Sequence, residues 1–288
     1  KTTIVIDPKG DFIPLFNLQD ELGPVSLWNL GPKGAKSKAG MLDPFYMADE
    51  PGDKLTLVIS TIDLLCGGLT DAQTTVLAPI VKDVIEHPVP SLLRVVEQLR
   101  GSTRETARDL GTKLDMIARM PAARLCFAPG NKRRNAVSID KGLTIVTLVG
   151  MDMPTDAESA AKTINGRLAM TILFLLTDFI RRIMHNDDAT SPKSLIIDEA
   201  WQVVASEQGA SVVKDVALLG RSKNLSLTLV TQSTSHLKNL QLDNTISCRF
   251  AFRTDDNEAH VIAKSMGLPP NEGFEGVLTG LRQGECLM

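Results

Sequence analysis

Several features that would place a chain in a specialised class are missing from this sequence. Its four cysteines, Cys66, Cys126, Cys248 and Cys286, are far apart and form no CxxC or Cys/His spacing of a metal site. Such cysteines are typical of reduced core thiols in a cytosolic protein. The net charge of −3 and the pI near 5.9 provide no positive excess for general binding to nucleic acid.

Membrane-directing segments are also missing. No signal-peptide pattern opens the chain. The most apolar segment, residues 168–180, is interrupted by Thr171, Thr177 and Asp178, and it is shorter than the ~20 residues that span a bilayer. We expect this segment to be a buried helix, and we expect any association with a membrane to come through partners.

A phosphate-binding loop is missing as well. The pattern GxxxxGK followed by Ser or Thr requires a glycine directly before the lysine. In the loop 31–40, Ala35 stands between Gly34 and Lys36, and no helix pattern follows. We therefore interpret this loop as a mobile surface loop, and the chain has no Walker A motif.

Alternating strand and helix patterns are what the sequence does contain, and they predict an α/β fold with a mostly parallel sheet covered by helices on both faces. Apolar or β-branched runs predict strands at residues 2–6, 25–30, 143–149, 195–197, 225–230 and 249–252. Between the early strands, residues 49–125 show only helical spacing, with Ser91 as an N-cap and a helix capped at 102–103. The predicted domains are therefore a first core part (1–48), an all-helical insertion (49–125) and the rest of the core (126–288).

The stretch 194–201 carries the most informative chemistry. Three apolar residues run directly into two adjacent carboxylates, Asp198 and Glu199, which predicts a buried strand with acids at its carboxyl end. One acid can hold a metal ion while its neighbour orients a nucleophilic water, as in a Walker B motif. A strand that ends in a solvated acidic turn is the alternative interpretation of the same pattern.

Two further strand ends carry polar side chains. Asp7, Lys9 and Asp11 follow the first strand, and Thr231-Gln232 ends the strand at 225–230. Because the carboxyl ends of parallel strands lie along one rim, we expect these residues to converge with Asp198 and Glu199. The amide of a glutamine both donates and accepts, so it suits contact with an attacking water or a terminal phosphate.

The order of these motifs resembles the FtsK–HerA superfamily of RecA-like motor ATPases, and within it the carboxy-terminal motor domain of the large ATPase of conjugation and type IV secretion systems. The resemblance rests on Asp7-Pro-Lys-Gly-Asp11, Gly40-Met-Leu-Asp-Pro44, Leu195-Ile-Ile-Asp-Glu-Ala-Trp201, the segment 220–233, Arg249-Phe-Ala-Phe-Arg253 and the segment 281–288. It covers nearly the whole chain. It implies a RecA-like P-loop NTPase core with an all-helical insertion.

The resemblance also implies roles for individual residues. Asp198 would lie near magnesium, Glu199 would polarise the attacking water, and Gln232 would sense the terminal phosphate. Asp7 and Lys9 would belong to the nucleotide-binding side of the site. Arg249 matches the position of an arginine finger that reaches the nucleotide of a neighbouring subunit, with Arg253 and then Arg221 as substitutes.

At the level of function, the resemblance implies an ATPase that uses ATP and Mg²⁺ and assembles as a ring, most simply a hexamer, at the cytoplasmic face of the cell membrane. Its partners would be other components of the secretion or conjugation apparatus. In that family the Walker A loop precedes the first strand, so we expect it upstream of Lys1 and expect this fragment to be inactive alone. The alternatives are a DNA translocase or coupling protein of the same superfamily, and a non-catalytic scaffold. A short basic cluster, Lys132-Arg133-Arg134, could touch a phosphate backbone, but a solvated loop is the favoured interpretation.

Overall fold

A computed structural model of the protein describes residues 1–129, 139, 141–151, 162–186, 190–232, 240, 245–269 and 273–288. In this part of the chain the strands are β1 (Thr2–Asp7), β2 (Val25–Asn29), β3 (Gly142–Thr147), β4 (Lys193–Ile197) and β5 (Leu225–Leu229). The helices are α1 (Gln19–Leu22), α2 (Pro51–Cys66), α3 (Asp71–Ile85), α4 (Leu92–Gly101), α5 (Glu105–Ala118), α6 (Ile164–Asn186), α7 (Trp201–Val204), α8 (Glu207–Leu219), α9 (Asp256–Ser265) and α10 (Phe274–Gly280). Strands and helices alternate outside residues 51–118, as the sequence pattern predicts.

The five strands form one parallel sheet in the order β2-β3-β1-β4-β5. Strand β1 lies at its centre, between β3 and β4. Its consecutive residues Ile4, Val5 and Ile6 are all buried. Because successive side chains of a strand point to opposite faces, this burial means that both faces of the sheet are covered. The predicted fold class is confirmed.

Helices α2 to α5 form an all-helical part within the range predicted for the insertion. Ser91 caps α4 as predicted, since its side chain accepts a hydrogen bond from the backbone N–H of Arg94. The predicted cap of α5 is wrong: that helix begins at Glu105 after Arg104, and Ser102 instead accepts a hydrogen bond from the N–H of Arg104. The apolar side chains of these helices belong to the same buried cluster as those of the sheet, so the helical part packs continuously onto the core.

Helix α6 is the predicted buried helix, and it begins at Ile164 within the described residues. Its interior residues Ile172, Leu173 and Leu176 are fully buried. No helix in the described ranges has the length and apolar character needed to cross a bilayer.

The loop 31–40 is better anchored than the sequence suggests. It contains a 3-10 turn at Gly34–Lys36, and Ala35 in this turn is fully buried. The N–H of Gly40 donates to the carbonyl oxygen of Arg124 over 2.6 Å. The prediction of a mobile surface loop is therefore wrong for these anchored residues.

The strand predicted at 249–252 is not part of the sheet. Ala251 instead forms an isolated antiparallel bridge with Leu287, and the rings of Phe250 and Phe252 are 59% and 58% exposed. Ala251 packs with residues of α9 and α10 in a small cluster of its own. The alternation of residues in this segment predicted an extended backbone correctly, but its bonding partner is the end of the chain rather than a sheet strand.

Candidate functional site

The carboxyl ends of β1, β4 and β5 lie side by side, because these three strands are neighbours in the sheet. Hydrogen bonds continue past the strand ends: the N–H of Asp198 donates to Ile6, and the N–H of Ala200 donates to Val230, each over 2.9 Å. The chain segments that carry Asp7, Asp198 and Gln232 are thus held at one rim. This is the convergence that the sequence pattern predicted.

The turn after β1 is held by the buried carboxylate of Asp7. One oxygen accepts from the N–H groups of Gly10 and Asp11, over 2.7 and 3.0 Å, and the other accepts from Phe12 over 2.9 Å. Gly10 has φ +92°, which residues with a side chain rarely adopt. Asp7 and Gly10 therefore fix the backbone from which Lys9 extends, and the predicted contact of Asp7 with a nucleotide stays a prediction.

The carboxylate of Glu199 is held at this rim by three side chains. Its Oε1 accepts from the Nζ of Lys9 and from the Nε2 of Gln232, the latter over 2.8 Å, and its Oε2 accepts from the indole Nε1 of Trp201 over 2.9 Å. Its backbone is in the left-handed region, with φ +49°. Strained backbone of this kind persists only where the surroundings hold it, and it is common at functional sites.

The electrostatics of the two adjacent acids differ. Burial acts to raise the pKa of Glu199, but hydrogen bonds from Lys9, Trp201 and Gln232 outweigh it, so the pKa is below its usual range. The hydrogen bond to Glu199 raises the pKa of Lys9. Burial raises the pKa of Asp198, and the nearby carboxylates of Glu199, Asp7 and Asp11 add to this rise. A bound cation beside Asp198 would relieve this repulsion.

Three carboxylates at the rim have the arrangement of a cation site. Oxygen atoms of Asp7, Asp11 and Asp198 lie within 4.8 Å of one another. Mg²⁺ takes oxygen ligands, and it commonly uses one or two carboxylates together with waters and phosphate oxygens. Backbone N–H groups already occupy the carboxylate of Asp7, so the half-buried Asp198 and the exposed Asp11 are the better placed ligands. The donor set therefore fits the predicted magnesium.

The predicted site residues fall into two groups. The structure brings together Lys9, Asp198, Glu199 and Gln232, whereas Arg249 is not among the partners of Glu199. Arg249 is half-buried in the segment after β5, and Arg253 is exposed. The side chain of Arg221 and the cluster 132–134 lie outside the described residues. An arginine finger acts on a neighbouring subunit, so the role of Arg249 stays a prediction.

Trp201 is the site residue that the sequence did not identify. The motif that ends at Trp201 predicts no role for its side chain, yet its indole N–H donates to the carboxylate two residues earlier. A tryptophan beside a pair of acids is a weak signal in a sequence, because the contact depends on the unusual backbone of Glu199.

The fold and the rim define the class of this protein. Residues 2–288 match the AAA-like domain family, and the chain belongs to that family. This family match agrees with the predicted relationship to RecA-like motor ATPases.

Two solved structures show the particular form of the fold. VirB4 of Thermoanaerobacter pseudethanolicus superposes with a TM-score of 0.74 at 17% identity, over 99% of this chain and 78% of that one. The bacterial conjugative coupling protein TrwBdeltaN70, in a trigonal form in complex with sulphate, superposes with a TM-score of 0.53 at 15% identity, over 92% of this chain and 67% of that one.

A curated relative from Bacillus subtilis (strain 168), the uncharacterized protein YddE, is 26% identical over 196 residues. The match covers 68% of this chain and 23% of YddE, so the matched part spans less than a quarter of that protein's length.

Proposed function

We propose that the chain is the ATP-hydrolysing motor domain of a conjugation or type IV secretion ATPase. One observation carries the proposal: Asp198 and Glu199 end the strand β4 beside β1 and β5, and side chains from both neighbouring segments hold the carboxylate of Glu199. A solvated acidic turn does not explain this arrangement, because Glu199 is buried and has three side-chain donors.

The chemistry follows from the position of each group. Asp198 and Asp11 would hold Mg²⁺, which neutralises charge on the phosphates when it is bound. Glu199 is ionised and presents a carboxylate that can orient a water for in-line attack. Gln232, whose amide both donates and accepts, would contact that water or the terminal phosphate. Arg249 would act on the nucleotide of an adjacent subunit in a ring, for which we propose a hexamer.

The substitution Glu199→Gln tests the proposal. Since this chain contains no GxxxxGK loop, the assay uses the full-length protein. We expect ATP turnover to fall at least ~100-fold, because the amide cannot polarise water, while binding of a fluorescent ATP analogue stays within about threefold. Glu97→Gln, on the exposed face of α4, is the matched control and should leave both unchanged. Undiminished turnover by Glu199→Gln would rule out its assigned role.

The partners and the location belong to the same proposal. We propose that the ring works at the cytoplasmic face of the cell membrane with other components of a secretion or conjugation apparatus. Its family and its likeness in fold to VirB4 support this assignment. Purification of the full-length protein from cells with its associated proteins tests it, and recovery without any component of such an apparatus would count against it.

A DNA translocase or coupling protein is the second candidate, and the likeness in fold to TrwBdeltaN70 favours it. A translocase depends on contacts with the DNA backbone, so duplex DNA should then stimulate ATP turnover with a steep dependence on salt. Turnover that is unaffected by duplex DNA at low salt would favour the secretion ATPase. A non-catalytic scaffold would show neither ATP turnover nor nucleotide binding in the wild-type protein.

A further inference from the structure

The three donors that hold Glu199 are not equally accessible. Trp201 is buried, so its bond to Oε2 is shielded from solvent. The side chain of Lys9 is 48% exposed, although the carboxylate that it pairs with is 7% exposed. Gln232 is also exposed. A ligand that enters from solvent can therefore compete for the two donors on Oε1 without disturbing the donor on Oε2.

Lys9 extends from a backbone that is itself fixed. Asp7 bonds three successive N–H groups after Lys9, and Gly10 packs against Val149 and Ile13, where an added Cβ would lie 2.6 Å from Cγ2 of Val149. The long side chain of Lys9 is thus the part of this turn that can change its partner while the backbone stays fixed. Rotations of an exposed side chain take picoseconds to nanoseconds, so the ammonium can change partners quickly.

The ammonium of lysine is a compact charge that binds phosphate oxygens and carboxylates alike. Its carboxylate partner is Glu199, and the carboxylates of Asp11 and Asp198 lie near enough to contribute to its field. A nucleotide at this rim would bring a second and more highly charged partner. While Lys9 and Gln232 both bond Oε1, that oxygen has little capacity left to accept a hydrogen from water.

We infer that Lys9 is a positioning residue with two alternating partners: it restrains Oε1 of Glu199 in the nucleotide-free protein and moves to the terminal phosphate of bound ATP, which frees Oε1 for the attacking water. The inference rests on the proposed ATPase function. It assigns to a single side chain the coupling between nucleotide binding and release of the catalytic carboxylate, and it requires no movement of the backbone.

The reactivity of the Lys9 amine tests this inference apart from catalysis. The full-length protein is labelled briefly with acetic anhydride, and the labelling of Lys9 is measured by peptide mass spectrometry relative to the exposed Lys33. Without nucleotide, Lys9 should react several-fold more slowly in the wild type than in Glu199→Gln, because the ion pair shields its amine. Addition of Mg²⁺ and a non-hydrolysable ATP analogue should protect Lys9 again in Glu199→Gln.

The outcomes separate this inference from the proposed function. Binding of the analogue is measured independently with a fluorescent derivative. If the analogue binds Glu199→Gln but Lys9 stays reactive, Lys9 has no phosphate partner and the inference is overturned. Equal reactivity of Lys9 in the nucleotide-free wild type and in Glu199→Gln would show that Lys9 does not pair with Glu199 before nucleotide binds, and would overturn that part of the inference. If the full-length protein binds no analogue at all, the proposed function fails, and this inference fails with it.

Kinetics of Lys9 variants give a second readout. Lys9→Met should raise the KM for ATP at least fivefold and lower kcat, because the phosphate loses a cationic partner. A lysine with a purely structural role would not contact the phosphate, and its loss would leave KM unchanged. Lys9→Arg keeps the charge and should restore part of both values. Lys33→Met, in the neighbouring loop, is the matched control and should change neither. A Lys9→Met enzyme that is folded and has an unchanged KM would contradict the phosphate contact.

Discussion

The buried carboxylates of Asp43 and Glu199 both accept hydrogen bonds, but their donors differ in kind. Asp43 accepts from the backbone N–H groups of Phe45, Leu92 and Ala128, over 3.1, 3.0 and 2.9 Å. Glu199 accepts from side chains alone. Backbone donors cannot leave without unfolding the segments that carry them, whereas exposed side chains can turn away. The first arrangement builds structure, and the second allows a group to be released during a reaction.

The first prediction concerns the removal of the structural carboxylate of Asp43. Asp43→Ala leaves buried backbone N–H groups of three segments without their acceptor, and each such group costs about 1–3 kcal/mol. We expect the free energy of unfolding to fall by about 3–5 kcal/mol, measured by urea denaturation with circular dichroism. Asp83→Ala, which removes an exposed acceptor of Gln98, is the control and should cost less than about 0.5 kcal/mol. Equal losses in the two variants would refute the structural role of Asp43.

The second prediction concerns the turn that supports Lys9. Gly10→Ala forces a residue with a side chain to φ +92° and places its Cβ 2.6 Å from Val149. We expect a loss of about 2 kcal/mol in the free energy of unfolding and a lower ATP turnover in the full-length protein. Gly267→Ala has a similar positive φ, +74°, but no atom within 4 Å of the added Cβ. Gly267→Ala should lower the free energy of unfolding by about 1 kcal/mol and leave ATP turnover unchanged. A larger effect of Gly267→Ala than of Gly10→Ala on turnover would contradict the proposed role of the turn at Gly10.

The third prediction sharpens the comparison at Glu199 itself. Glu199→Gln should change the free energy of unfolding by less than about 1 kcal/mol, because its charged partner Lys9 is half-exposed and such pairs contribute little. The same variant is expected to abolish turnover. If urea denaturation instead shows a loss like that of Asp43→Ala, Glu199 is a structural carboxylate and the contrast between the two centres disappears.

The fourth prediction has the smallest effect on stability and compares the core with the end of the chain. Cys66 and Cys126 are buried, whereas Cys248 and Cys286 are exposed, which corrects the expectation of four core thiols. Burial raises the pKa of Cys66 to about 11, so roughly one thiol in a thousand is ionised at pH 8. Iodoacetamide at pH 8 should therefore label Cys248 and Cys286 but not Cys66 or Cys126, as read by peptide mapping. Labelling of all four in urea is the control, and rapid labelling of native Cys66 would contradict its burial.

Much of the sheet and the rim could be predicted because the responsible signals are local. An apolar run predicts a strand, and the polar residues directly after it are predicted to lie at the carboxyl end of that strand. Asp198, Glu199 and Gln232 could therefore be placed at one rim before any contact was known.

The remaining features depend on contacts between distant segments. The acceptor role of Asp43 requires donors 49 and 85 residues away in sequence, which no local pattern indicates. The bond from Trp201 depends on the left-handed backbone of Glu199. The segment 249–252 has a strand pattern, but the choice of Leu287 as its partner is made by tertiary packing. These outcomes follow from topology rather than from residue type.

The central position of β1 has a consequence for how the chain is made. Its partner strands β3 and β4 begin at residues 142 and 193, so β1 cannot complete its pairing until long after it has been synthesised. Lys193 follows Asp7 by 186 residues (193 − 7). At about 5–20 residues per second, this delay is roughly 10–40 s. During that interval at least one edge of this apolar strand lacks its partner strand and is available to other chains. The sheet should therefore require a chaperone during synthesis more than the all-helical part does.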